Sequence, residues 1–100
     1  MNKIKVFIEY KVIPEKRNQY IELTEKIIAR YQSLQVNGFS IYEGIEQPNL
    51  FVEDFTVLNY EQFKLLKTER FEERIPIWKE VHSCIHTGVK KVNAYAFEML

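Results

Sequence analysis

Two histidines, His82 and His86, lie four residues apart in a segment with helical periodicity. Histidine is the side chain whose ordinary pKa lies closest to neutral pH, so His82 is the preferred candidate for a general base. Paired histidines at this spacing can hold a metal ion, but the chain has no third histidine and no obvious acid beside them. We therefore expect no metal site. The alternative for both histidines is a polar role at the boundary between helix and sheet.

Glu53 is a charged residue in an otherwise apolar pattern. It alternates with Phe51 and Phe55 in a strand-like segment, so it is expected to share their face. A carboxylate among such neighbours must be paired, hydrogen-bonded or shifted in pKa. Perturbed acids are concentrated at functional sites, although ion pairs across an interface perturb them as well. Glu53 is therefore the second candidate for handling protons.

Aromatic side chains would form the walls and orienting groups of a pocket around these two residues. Trp78 lies one helical turn before His82, and tyrosine hydroxyls would orient a polar ligand. The predicted substrate-binding set consists of Trp78, Tyr42, Tyr10, Phe55 and Tyr95. The alternative for each of these residues is that it packs in the core or in an interface and binds no ligand.

The periodic segments that position these residues follow the order strand, helix, strand, turn, strand, helix, strand. Alternation predicts strands over 3–13, 39–46, 50–58 and 89–100, and steps of three and four predict helices over 15–35, 60–74 and 76–86. The apolar stripe of the first helix consists of Tyr20, Leu23, Ile27, Tyr31 and Leu34. Ile21 and Ile28 are expected to broaden this stripe, and Asn37-Gly38 is expected to end the helix. This βαββαβ order predicts one ferredoxin-like α+β domain over 1–100, with helices on one face of a four-stranded antiparallel sheet.

The third predicted strand is apolar on both faces. Val52 and Leu58 lie on one side, and Phe51, Phe55 and Val57 on the other. One helix layer covers only one face of a sheet, so another layer must cover the second face. A second copy of the same sheet is the economical candidate, which predicts a homodimer joined through the sheets. A different partner chain is the alternative.

Composition restricts the expected partners and the expected cellular location of the chain. The 14 basic side chains balance the 14 acidic ones, and no basic stripe with interleaved aromatics is present, so neither nucleic acid nor a membrane is an expected partner. Cys84 is the only cysteine, and the first residues lack a signal-peptide pattern. No apolar run reaches the roughly 20 residues that span a bilayer. These features favour a cytoplasmic protein.

The chain resembles the antibiotic-biosynthesis-monooxygenase branch of the dimeric α+β barrel superfamily. The likeness covers nearly the whole chain and rests on the element order and on two local patterns. One is the hairpin over 42–55, whose second strand is acidic and aromatic, and the other is the segment over 71–82, which ends in His82. The resemblance implies a homodimer paired through its sheets and a hydrophobic pocket between sheet and helices.

The heme-degrading branch of the superfamily is more distantly similar. Its iron-binding histidine matches His82, but Tyr10 stands where that branch has an asparagine, and its pocket tryptophan corresponds to a position near Glu72. No cofactor is therefore expected, with heme as the alternative.

The resemblance implies a small oxygenase-like protein that acts on an aromatic or quinone-type small molecule without a cofactor. Whether the chain is an enzyme at all stays open at this point. One alternative is a non-catalytic protein that binds heme or another small ligand. The other is a structural or regulatory homodimer, which a pocket filled by the chain's own Phe and Tyr side chains would favour.

Overall fold

A computed structural model describes residues 3–100 of the chain. The helices and strands are β1 (Ile4–Lys11), α1 (Arg17–Ser33), β2 (Asn37–Glu43), β3 (Leu50–Val57), α2 (Tyr60–Phe71), α3 (Pro76–Ser83) and β4 (Asn93–Glu98). Short 3₁₀ turns at Pro14–Lys16 and Gly88–Lys91 precede α1 and β4. The four strands form one antiparallel sheet in the order β2-β3-β1-β4. The predicted ferredoxin-like α+β fold is confirmed.

The sheet has one face covered by the helices, the helix face, and one uncovered face, the open face. In β1 the even-numbered residues are buried on the helix face, and in β3 the odd-numbered ones are buried there. The register places Ile8 opposite Glu53 and Tyr10 opposite Phe51. Glu53 therefore faces the helices from the middle of the sheet, as its alternation with Phe51 and Phe55 predicts.

The amphipathic pattern of α1 explains how it packs on the helix face. Tyr20, Leu23, Ile27 and Tyr31 are buried along one stripe, as their spacing of three and four residues predicts. The expected broadening of this stripe by two further isoleucines is wrong. Ile21 is 41% exposed and Ile28 is 37% exposed, because both lie on the flank that turns away from the sheet.

The end of α1 and the following hairpin use left-handed backbone at three positions. Gln35 (φ 61°), not Gly38, adopts this conformation just after the helix, so the predicted Gly38 cap is wrong. Gly38 (φ 63°) instead lies in β2, where the pairing with β3 shifts register between Asn37 and Ser40. The predicted turn is present, since Asn49 (φ 70°) follows Pro48 and the Leu50 N–H donates to the Gln47 carbonyl over 3.2 Å.

The second helical region is divided before Pro76 as predicted, although α2 ends at Phe71 rather than at 74. The Asn59 side chain accepts a hydrogen bond from the Gln62 N–H (2.8 Å) and caps α2, and Pro76 begins α3. However, α3 ends at Ser83 rather than at 86, because Ile85 forms a β-bridge with Val12. The residues after α3 therefore run alongside the end of β1.

A buried polar network as candidate functional site

An ion pair lies in the middle of the apolar layer between sheet and helices. Glu53 on β3 and Arg70 on α2 each show no exposed surface. Arg70 Nη1 donates to Glu53 Oε1 (2.8 Å) and Nη2 to Glu53 Oε2 (2.9 Å), which is bidentate geometry. Although burial disfavours a charged guanidinium, the Glu53 carboxylate holds the pKa of Arg70 above its ordinary value.

Two tyrosine hydroxyls, those of Tyr10 and Tyr31, contact this pair directly, and a third, that of Tyr20, contacts it through Tyr10. Tyr10 donates to Glu53 Oε2 and shares a 2.6 Å hydrogen bond with the Tyr20 hydroxyl, and Arg70 Nη1 donates to the Tyr31 hydroxyl over 2.9 Å. Burial raises the pKa of all three phenols. They are therefore neutral at physiological pH, and they interact with the ion pair as dipoles rather than as charges.

His82 on α3 is a further member of the network, and each of its ring nitrogens forms a hydrogen bond. Arg70 Nε donates to His82 Nε2 (3.0 Å), so that nitrogen must carry a lone pair. His82 Nδ1, which lies 2.9 Å from Glu73 Oε2, must then carry the proton and donate it. Burial lowers the pKa of His82, and the Arg70 cation lowers it further. The ring is thus a neutral Nδ1–H tautomer.

Aromatic rings enclose the Arg70 guanidinium and complete the site. Its central carbon lies 4.3 Å from the centroid of Trp78 and 5.5 Å from that of Tyr10. The Trp78 indole N–H donates to Glu69 (2.9 Å), which is itself paired with Arg30 on α1. This contact fixes the ring plane against the guanidinium and ties α1, α2 and α3 together.

The structure brings together five of the seven side chains that the sequence analysis proposes for the site. His82, Glu53, Trp78, Tyr10 and Phe55 all lie in the buried layer on the helix face. The other two, Tyr42 and Tyr95, lie on the open face and are 56% and 45% exposed. They are separated from His82 by the sheet itself, so no single pocket contains all seven.

Three members of the network, Arg70, Tyr20 and Tyr31, are not among the site residues expected from the sequence. The two tyrosines were assigned only to the stripe of α1, and the strand residue Tyr10 was considered without its partner. A signal for Arg70 was present, because it follows Phe63 by seven positions and Leu66 by four, which places a charge on the buried stripe of α2. An arginine at such a position requires a buried carboxylate partner, and Glu53 was the natural candidate.

The layer around the network is filled by protein atoms. None of the three cavities described within residues 3–100 is lined by His82, Glu53 or Arg70, although Tyr10 lines one of them and Glu73 lines another. A heme does not fit these residues, because His82 is 3% exposed and its Nε2 lone pair already accepts the Arg70 N–H. His86, the other histidine, follows the end of α3 and is exposed, so the two imidazoles do not share one helix face.

Within residues 3–100, no group of three or more potential metal ligands occurs. None of the helices in this range is long and apolar enough to cross a membrane.

Comparison of the fold with solved structures gives similar proteins along the whole chain. A Bordetella bronchiseptica protein provisionally named an antibiotic biosynthesis monooxygenase aligns with a TM-score of 0.80 at 10% identity, over 100% of this chain and 99% of that one. A Nitrosomonas europaea protein with the same provisional name aligns with a TM-score of 0.76 at 12% identity, over 98% and 90%. This chain has the antibiotic-biosynthesis-monooxygenase-like fold.

A further similar structure is described as a dimeric ferredoxin-like protein from an uncultured marine organism. It aligns with a TM-score of 0.71 at 12% identity, over 100% of this chain and 97% of that one. Comparisons with protein-family models and with curated proteins gave no match. The suspected structural resemblance is therefore confirmed, and at these identities it establishes the fold alone.

Proposed function

We propose that the chain is a small oxygenase-like enzyme that acts on an aromatic or quinone-type molecule without a cofactor. The observation that carries this proposal is the buried network around Glu53 and Arg70. A buried ion pair adds little to stability compared with an apolar core of similar volume. Ionisable groups enclosed in this way are concentrated at functional sites. The likeness to the monooxygenase-named structures supports the same reaction class.

In this proposal the network handles protons and stabilises an anionic form of the substrate. Oxidation of an activated ring methylene by O₂ converts CH₂ into C=O. One oxygen atom enters the substrate, and the other leaves as water with the two hydrogens.

The substrate supplies the electrons once it loses a proton, so the protein needs a base and a cation. His82 Nε2 is the base and Arg70 stabilises the enolate or phenolate. Because His82 is 3% exposed and Arg70 Nε occupies that lone pair, this role requires the helix layer to open and the substrate to displace this hydrogen bond when it binds.

The proposal includes a homodimer joined through the open face. Tyr42, Tyr95 and Phe97 are 56%, 45% and 54% exposed there, and Phe7 packs edge-on against Phe97 with ring centroids 5.9 Å apart. Phe97 also packs against Tyr95 with ring centroids 6.4 Å apart, and an exposed aromatic cluster such as Phe7, Tyr95 and Phe97 is typical of an interface. The dimeric ferredoxin-like protein of similar fold supports the same assembly. A cytoplasmic setting completes the proposal, supported by the free thiol of the single cysteine, Cys84.

Oxygen uptake is the measurement that tests the enzymatic function. The purified protein is mixed with a panel of anthrones, whose ring methylene can undergo this oxidation, and uptake is compared between wild type, His82→Gln and Lys79→Gln. Lys79 is an exposed residue of the same helix and serves as the matched control. We expect His82→Gln to lose more than about tenfold in turnover and the control to retain it. Unchanged turnover in folded His82→Gln would remove His82 from the mechanism.

A structural or regulatory homodimer is the second candidate, and one observation favours it. The space between sheet and helices is filled by the chain's own side chains, including Tyr10, Tyr20, Tyr31, Phe55 and Trp78, which are at most 1% exposed. Absence of oxygen uptake with every member of the panel, in a protein that is dimeric and folded, would select this candidate over the enzyme.

A further inference from the structure

A second potential site lies at the end of the sheet where β1 ends and β3 and β4 begin. A cavity of about 240 Å³ there is lined in part by Glu9, Lys11, Leu50, Lys91 and Asn93. The strand register explains this grouping, because Lys11 lies opposite Leu50 and Glu9 opposite Asn93. These four residues belong to the open face, and the 3₁₀ turn Gly88–Lys91 brings Lys91 to the same corner.

His86 joins this corner through backbone pairing. The His86 N–H donates to the Lys11 carbonyl (3.1 Å), next to the bridge between Val12 and Ile85. His86 and Lys11 also line a neighbouring cavity of about 400 Å³. The segment that follows α3 and pairs with the end of β1 therefore places the His86 imidazole between the two cavities.

The charges at this corner favour an anion. Within residues 3–100, Lys11 and Lys91 form no ion pair, whereas Lys5 on the same strand pairs with Asp54 at 2.5 Å. Two ammonium groups against one carboxylate, Glu9, leave the cavity with net positive charge. The Asn93 amide, on the same rim, can donate a further hydrogen bond.

Size and lining restrict the ligand further. An apolar cavity of about 150 Å³ holds one benzene ring, and pockets for drug-sized molecules begin at about 300 Å³. A volume of about 240 Å³ therefore suits a single ring with one substituent. Leu50 and the methylene stems of the two lysines supply apolar contact for such a ring, and the lysine termini remain available to a carboxylate.

We propose that this corner binds a small organic anion with an apolar body, of the one-ring carboxylate class. This inference goes beyond the proposed oxygenase function, since its recognition groups are Lys11, Lys91, His86 and Asn93 rather than the buried network. Binding, not turnover, is its readout, so failure of one proposal is distinguishable from failure of the other.

The test is a titration of ¹⁵N-labelled protein with sodium benzoate, followed by NMR at constant ionic strength. Benzamide, which has the same shape without the charge, is the control ligand. We expect saturable shifts of the amides of Lys11, His86 and Lys91, and much weaker effects with benzamide. Lys91→Gln is expected to weaken benzoate binding by at least about fivefold, since hydrogen bonds to charged groups are among the stronger ones.

Lys79→Gln is the matched control variant, because Lys79 lines a cavity of the same volume, about 240 Å³, next to Glu73 and Arg74. It should leave the benzoate affinity unchanged. The proposal is overturned by shifts that do not saturate, by equal shifts with benzamide, or by an affinity that Lys91→Gln leaves intact. The proposed dimer must leave this corner of the open face uncovered, so an absence of benzoate shifts because a second copy of the chain covers the corner would overturn the proposal as well.

Discussion

Replacing Arg70 by methionine removes the cation from the centre of the buried network. Glu53 would then lie in the core with its carboxylate unpaired, and Tyr31 and His82 would each lose a hydrogen-bond donor. Breaking a fully buried ion pair by removing one partner costs about 3–5 kcal/mol. Because a domain of this size has a total stability of about 5–15 kcal/mol, the loss is a large fraction of it. We expect Tm to fall by about 12 °C or more.

The assay is urea unfolding followed by fluorescence, since Trp78 is the only tryptophan and its ring centroid lies 4.3 Å from the Arg70 guanidinium carbon. Far-UV circular dichroism is the second probe and tests two-state behaviour. Arg74→Met is the matched control. Arg74 pairs with Glu72 at 2.8 Å, but the two side chains are 61% and 59% exposed, so its loss should cost at most about 1 kcal/mol.

A double-mutant cycle of Arg70→Met, Glu53→Gln and their combination separates the ion pair from general damage to packing. In the double variant a neutral amide of the same shape replaces the stranded carboxylate. The double variant should be more stable than Arg70→Met alone by about 1–3 kcal/mol. The reasoning is refuted if Arg70→Met loses no more stability than Arg74→Met, or if the second substitution recovers nothing.

Three further substitutions test other parts of the structure. The pKa of His82 in the folded chain lies below its ordinary value of 6.5, so as the pH falls the unfolded chain binds a proton at His82 before the folded chain does. Wild-type stability should therefore be complete above about pH 6.5 and decrease as the pH drops below it. The His82→Gln variant should lack this decrease, which is checked by measuring its urea midpoint of unfolding above and below about pH 6.5. Asn59→Ala should lower the unfolding free energy by about 1 kcal/mol through loss of the α2 cap, and a loss of zero would contradict the cap. Phe97→Glu should give a monomeric mass by light scattering at micromolar concentration, whereas Leu65→Glu, at a 73% exposed position of α2, should leave the dimer intact.

The fold was predictable because alternation and helical periodicity are local properties of the chain. The stripe Tyr20, Leu23, Ile27 and Tyr31 and the alternation of β1 are each visible within a few turns or residues. Pro76 marks the break between α2 and α3 because proline cannot continue a helix interior. The end of α3 was not predictable in this way, since it depends on the bridge between Ile85 and Val12, which are distant in sequence.

The membership of the candidate site required knowledge of which face each strand presents. Strand periodicity separates two sets of side chains but does not say which set faces the helices. For β3 the apolar bias resolved the choice, and Glu53 was placed correctly. For β2 and β4, Tyr42 and Tyr95 were grouped with the pocket, although β4 turns Ala94 and Ala96 towards the helices instead. Small residues there leave room for the helices, and the tyrosines lie on the open face.

The alternation of the strands also makes the two proposed properties of the chain separable. Phe97 belongs to the open face and Glu53 to the helix face, so Phe97→Glu can abolish a dimer without touching the buried ion pair. Arg70→Met, conversely, disrupts the network and leaves the open-face aromatics in place. If the Phe97→Glu monomer still consumes oxygen with a substrate of the wild type, each protomer contains a complete catalytic site. If turnover is lost while Trp78 fluorescence and stability show an intact network, the dimer itself must complete the site, because nothing on the helix face has changed.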